Sequence, residues 1–341
     1  RVARSGGGEG GTHVSKTQQL GTVHEVGRLA PMTRRKFLIT SAASAGVVLT
    51  SGLIHAAPLS AATKKINLPG FSAFAESVKT LRSGKYFLVE SSGLPLHNMM
   101  VGISNWQQQV PVPMPYTGSN AWRIPVNPKK ASDPISLKTE LYRGAVALAV
   151  DGVPIFNALN NRGEDSFLIG ELDAWGGHCG RADDYHYHIA PLHLSEKVGK
   201  RKPIAYALDG YKIYGRVEPN GSKMRTLDEF NGHIFKGEYH YHGTTSYPYI
   251  NGGMRGQVTV INGQIEPQAS TRPFRSPGKP LRGAVITNFE RQGELNFSLS
   301  YTLNGSVYII NYVANQSRVT MQFSNPDGSS TTETFQRKID V

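Results

Sequence analysis

One cysteine in 341 residues, Cys179, leaves no internal disulfide, so the fold must be held by packing or by a metal. Charge is sparse: Asp, Glu, Lys and Arg make up 18% of the chain, too little for a segment kept unfolded by self-repulsion. Long apolar runs are scarce too. The one extended run, residues 39–54, has about sixteen residues and falls short of the ~20 that span a bilayer. No Gly-x-Ser-x-Gly elbow, Walker loop, dinucleotide fingerprint or His-Glu-x-x-His helix is present to support one of the chemistries those motifs serve. Between Lys85 and Phe156 no convincing amphipathic helix appears either.

What is present points to β structure. Apolar residues at 39%, with 37 glycines and 20 prolines, describe a globular chain rich in turns. The formal charge of +12 is inflated by the amino terminus, where residues 1–62 hold seven Lys/Arg against Glu9 and Glu25 and leave about +7 for the remainder. Those charges form no basic runs interleaved with aromatics. The short stretch Lys197, Lys200, Arg201, Lys202 reads as a solvated loop, and no nucleic-acid partner is expected.

From Met32 the chain reads Thr33-Arg34-Arg35-Lys36-Phe37-Leu38 and then enters the mild apolar run. This resembles a twin-arginine (Tat) signal peptide over residues 32–62, with cleavage near Ser60 to Ala62, the Tat export machinery as partner and a periplasmic or secreted product without a membrane span. Residues 1–31 read as an upstream extension. That route carries folded proteins, and many of its clients hold a metal or cofactor.

Within the mature chain the expected fold is mainly β: a duplicated β-unit domain, sandwich- or barrel-like about a pseudo-twofold axis, at 63–267, followed by a small antiparallel β module at 268–341. The copies are 146–200 and 204–260. Asp151-Gly152 matches Asp209-Gly210 at an offset of 58, Asp173 and His178 match Asp228 and His233 at 55, and the closing Tyr-His-Tyr-His motifs at Tyr185 and Tyr239 match at 54. Both Asp-Gly pairs read as hairpin turns. In the C-terminal module Phe297, Leu299, Tyr301 and Leu303 alternate with polar residues up to a turn at Asn304-Gly305.

Of eleven histidines, seven fall between His178 and His242. On a strand His186 and His188 share one face with Asp184, and His240 and His242 share one with Glu238, leaving the tyrosines to the core. Imidazoles at i and i+2 reach one ion, with a further ligand from another segment. The expected metal ligands are His178, His186, His188, His233, His240 and His242, the ion being Zn or Cu. Asp173, Asp184, Asp228, Glu238, His97 and Cys179 are candidates for additional ligands or for holding the second imidazole nitrogen. Whether the copies bind one ion each or enclose one together is open. His193 lacks a counterpart in the second copy and ranks below the others.

Tyr185-His-Tyr-His188, Ala207-Leu-Asp-Gly-Tyr-Lys-Ile-Tyr-Gly215 and Tyr239-His-Tyr-His242 resemble the YHYH domain family of exported bacterial proteins. The likeness runs from Tyr86 to Val260 and includes Gly93-Leu-Pro-Leu-His97, similar to that family's Gly-x-Pro-x-His segment. Leu96 departs from the acidic residue common there. The family implies no defined activity. Three functions therefore stand beside one another: a metal-binding exported protein; a metal-dependent hydrolase or oxidase with Asp173, Asp228, Asp184 or Glu238 as base; and a carbohydrate or surface-binding module using Trp175, Tyr211, Tyr214 and Tyr247.

Overall fold

Glycine-punctuated alternation becomes strand after strand. The computed structural model describes residues 63–337, and the expected leader and the segment before it lie outside the described residues. A four-stranded antiparallel sheet comes first, with β1 (Lys64–Lys65), β2 (Lys79–Ser83), β3 (Tyr86–Glu90) and β4 (Trp122–Pro125) in sequence order. Next come β5 (Lys130–Ser136), β6 (Ala145–Ala149), β7 (Pro154–Phe156), β8 (Gly177–Cys179) and β9 (Tyr185–Tyr187). A one-turn helix, α1 (Leu194–Val198), precedes β10 (Ala205–Ala207), β11 (Lys212–Tyr214), β12 (Gly232–Phe235) and β13 (Glu238–His242).

The duplication is built as one sheet. Its eight strands run β12-β13-β11-β10-β6-β7-β9-β8, so the second copy reads outward from the centre in the order of the first. At the centre β6 and β10 pair antiparallel, and Leu148 faces Tyr206, its own counterpart at offset 58. A pseudo-twofold axis therefore passes between them. The physical reason is the Ala-Val-Ala-Leu-Ala composition of β6, wholly buried, whose small side chains let layers close over both faces.

Each β6-like strand returns through its Asp-Gly pair, but not as a two-residue turn. Only Gly152 takes a positive φ, 84°, with its N–H on the Ala149 carbonyl, and a Cβ there would meet Ser91 Cβ at 2.5 Å. Asp151 keeps ordinary backbone geometry and turns its carboxylate inward, 4% exposed; Asp209 does the same at 1%. These two aspartates are buried hydrogen-bonding groups as well as turn residues.

After β14 (Gly253–Gly256), which pairs with β5, and the hairpin β15 (Thr259–Ile261) with β16 (Gln264–Glu266), the chain ends in a five-stranded antiparallel meander. Its strands are β17 (Val285–Arg291), β18 (Asn296–Leu303), β19 (Ser306–Ala314), β20 (Arg318–Ser324) and β21 (Ser330–Gln336). Asn304 and Gly305 turn it with φ of 52° and 79°, the paired positive angles of a two-residue hairpin. One face buries Phe289, Phe297, Leu299, Ile310, Val319 and Met321. That face packs on the preceding chain, where Ile286 exchanges backbone bonds with Gly102 and Ile103 and the Tyr312 hydroxyl donates to the Pro111 carbonyl at 2.7 Å. No described helix is long and apolar enough to cross a membrane.

Candidate metal centres

Antiparallel pairing sets His178 of β8 directly opposite His186 of β9, and His233 of β12 opposite His240 of β13. The i+2 histidines, His188 and His242, then close two separate triads near the two ends of the sheet. In the first triad His188 Nε2 lies 3.0 Å from His178 Nε2 and 3.1 Å from His186 Nε2. In the second, His240 Nε2 lies 3.2 Å from His233 Nε2 and 2.9 Å from His242 Nε2. Two nitrogens on one tetrahedral Zn, each ~2.0–2.1 Å away, stand roughly 3.3–3.4 Å apart. The observed 2.9–3.2 Å lies slightly below that, so the rings of each copy could hold one ion.

The tautomers point the same way. His186 Nδ1 donates to the Asp184 carbonyl at 3.0 Å, and His188 Nδ1 donates to the Asn157 carbonyl. A carbonyl only accepts, so both Nε2 atoms carry lone pairs and face each other without a proton between them. His242 Nδ1 likewise donates to the Gly215 carbonyl at 2.7 Å, and Gly215 is the counterpart of Asn157. Backbone carbonyls thus aim these rings as they aim metal ligands. Burial adds to this by disfavouring imidazolium: it pushes His178 well below its ordinary value, His188 to about 3 with His186 contributing, and His240 to about 4 with His242 and His233 contributing. Neutral imidazole is the form a metal needs.

The copies differ at the fourth position. Glu218, wholly buried, places Oε1 3.1 Å from His233 Nε2 and Oε2 3.2 Å from His240 Nε2. Its Oε2 accepts no hydrogen bond. Burial opposes ionisation of Glu218, but the Arg225 N–H, donating to Oε1 at 3.1 Å, helps hold its carboxyl below the usual range. The equivalent residue of the first copy is Asn160. Both begin the same tight loop, Asn160 N–H on the Glu164 carbonyl and Glu218 N–H on the Ser222 carbonyl. Asn160 turns its amide to Glu164 Oε2 at 2.9 Å and stays out of the triad. The three imidazoles of the first copy instead border a cavity of about 170 Å³, also lined by Asn160, Arg162 and Glu171.

The remaining candidates serve other parts of the scaffold. Asp173 Oδ1 accepts the Trp175 and Gly177 N–H groups while Oδ2 takes the Tyr185 hydroxyl at 2.8 Å; Asp228 repeats this with Phe230, Gly232 and Tyr239. Both carboxylates shape the turn that delivers the lone histidine. Asp184 Oδ2 stands 3.5 Å from His186 Nδ1, beside the ring it could steady. Glu238 is exposed, 3.9 Å from Lys212 Nζ. Cys179 is buried opposite Tyr185, and burial pushes its thiol well above the ordinary range, away from thiolate. His97 stacks on Trp175 and lies with Asp151 and His193, apart from both triads.

The Gly-His pairs have a steric cause. A Cβ on Gly177 would sit 2.5 Å from Tyr185 Oη, and one on Gly232 2.1 Å from Tyr239 Oη. Gly177→Ala is expected to cost about 2–4 kcal/mol by overpacking and by breaking the Tyr185–Asp173 bond. Chemical denaturation reads this directly. An unchanged midpoint would remove the packing explanation.

Glu218, Asp151 and His193 were not singled out as ligands by sequence reasoning. Extending the repeat at offset 58 beyond Tyr214 aligns Glu218 with Asn160, an unlike pair that carries no ligand signal. The other two come together only in three dimensions.

A mainly β protein with a sheet duplicated about a twofold, carrying two buried histidine groupings that could hold a metal ion, is the class these features define. Residues 121–223 match the family model described as YHYH protein, so the chain carries a YHYH domain. The match takes in the first Tyr-His-Tyr-His and ends ahead of the second. No curated protein and no solved structure matches the chain.

Proposed function

We propose that this protein binds two transition-metal ions, Zn or Cu, one in each repeat, and does so outside the cytoplasm after export by the Tat machinery. The observation that carries this reading is the convergence of three Nε2 atoms in each copy, with three of the six rings oriented by backbone carbonyls. Neutral imidazoles, joined by a buried carboxylate in the second copy, form a donor set suited to Zn and Cu. The second copy, His233, His240, His242 and Glu218, has the four ligands of a closed structural site. The test is elemental analysis of untagged mature protein, with one equivalent expected for each triad and one lost from the total in each of His188→Ala and His242→Ala. Protein that holds no transition metal and takes up none on titration would end the proposal.

A second reading is a metal-dependent hydrolase or oxidase, favoured by the first copy alone. There Asn160 replaces the fourth ligand and the triad borders a cavity, so an ion held by His178, His186 and His188 would keep a coordination position for a small molecule. The carbohydrate-binding reading has less support. Of its four aromatics, Tyr214 is buried against His240 at 5.0 Å, Trp175 is stacked on His97, and Tyr247 alone is exposed.

A further inference from the structure

Strand β9 presents His186 to one side and Tyr187 to the other. On the tyrosine side lies a group that belongs to neither triad: His97, Asp151 and His193, whose ligand atoms all lie within 4.8 Å of one another. His97 arrives on the loop after Gly93, braced by Arg291, which donates to the Pro95 carbonyl at 3.2 Å. His193 stands immediately before α1. The two rings are 5.1 Å apart and nearly perpendicular, at 85°. That is the spacing inside the triads, where His178 and His188 stand at 4.9 Å and His233 and His242 at 5.2 Å.

The hydrogen bonding of this group is incomplete. His97 Nδ1 donates to the Asn98 carbonyl, so its Nε2 carries a lone pair, and that lone pair meets Tyr187 Oη at 2.8 Å. The tyrosine has one proton and gives it to Asp151 Oδ2 at 2.9 Å. His193 Nε2 is buried with no partner at all. An imidazole nitrogen, a phenol oxygen and a carboxylate oxygen thus converge on one hydroxyl proton beside an imidazole nitrogen that has no partner, and an unmet buried polar atom is costly.

The duplication supplies an internal control. In the second copy the same tyrosine–aspartate pair, Tyr241 and Asp209, is fully served by backbone donors: the Arg255 N–H reaches Tyr241 Oη at 2.7 Å, and the Gly256 N–H reaches Asp209 Oδ2 at 2.9 Å. There the pair is a structural bond. In the first copy those donors are replaced by two imidazoles, neither of which has an equivalent across the pseudo-twofold axis.

We infer that His97, His193 and Asp151 form a third metal site, which takes a divalent transition-metal ion through two imidazoles and one carboxylate, with Tyr187 beside it. Two histidines and one carboxylate leave positions open for an exogenous ligand. Trp175 covers the imidazoles from one side, stacked on His97 at 4.6 Å and edge-on to His193 at 4.9 Å. The site is independent of the two triads, since it shares no ligand with them.

Titration of the chelator-stripped mature protein with Zn(II), followed by desalting and elemental analysis, tests this. Three equivalents are expected in the parent protein and two in His97→Phe, which keeps the stack on Trp175 but removes the donor nitrogen. His193→Gln, checked for an unchanged far-ultraviolet spectrum, should also retain two. Saturation of the parent at two equivalents, or retention of three by both variants, overturns the inference. The triads are scored separately: if His188→Ala and His242→Ala leave the count unchanged while His97→Phe lowers it, the triad proposal fails and the third site stands. The converse result does the opposite.

Discussion

Exhaustive chelation is expected to lower the melting temperature of the mature protein by about 15–30 °C, and one transition metal added back should restore it. An ion bound with nanomolar affinity at micromolar free metal stabilises the native state by roughly 4 kcal/mol, and two such sites act together. For a domain of this size each kcal/mol moves the midpoint by about 2–4 °C. The stripped state is poor for a second reason: with Nδ1 of His186 and His188 donating to backbone carbonyls, their Nε2 atoms face each other lone pair to lone pair at 3.1 Å. A melting curve unmoved by chelator, with no residual metal, would show that these histidines are packing residues.

Glu218→Gln should weaken metal binding in the second repeat alone, by about 3–5 kcal/mol or two to four orders of magnitude in Kd. The amide is nearly isosteric but neutral, and it sits where a buried carboxylate meets His233 and His240. The reciprocal change Asn160→Glu should tighten the first repeat's site by supplying the ligand it lacks, and should close the cavity beside it. Competition with a chromophoric chelator separates the two sites. Equal effects of Glu218→Gln on both would mean that the triads are coupled and not independent. Should the protein prove to be an enzyme, Asn160→Glu is also the variant expected to abolish turnover while retaining metal.

Much of this architecture is legible in one dimension because the chain repeats. A near-constant register of 58, 55 and 54 residues carries the duplication, and a period of two along Tyr185 to His188 separates the imidazole face from the tyrosine face. The C-terminal meander follows from Asn304-Gly305 and from alternation around Phe297 and Leu299, which are local signals. Asp151 and Asp209 mislead at that level. An Asp-Gly pair is a turn signature, and nothing local reveals that the carboxylate folds inward to receive a tyrosine hydroxyl 32 or 36 residues away.

By itself, then, the sequence determined the class of fold, the two copies and six of the residues that converge, because these are written in periodicity and spacing. Only the tertiary structure decided that the six divide into two triads instead of enclosing one ion, since that depends on which strands meet at the twofold and which end outermost. It alone brought Glu218 into one triad and withheld Asn160 from the other. It also alone gathered His97, Asp151 and His193 from segments up to about a hundred residues apart. Contacts at that separation depend on how layers close over a sheet, and that closure leaves no periodic trace along the chain.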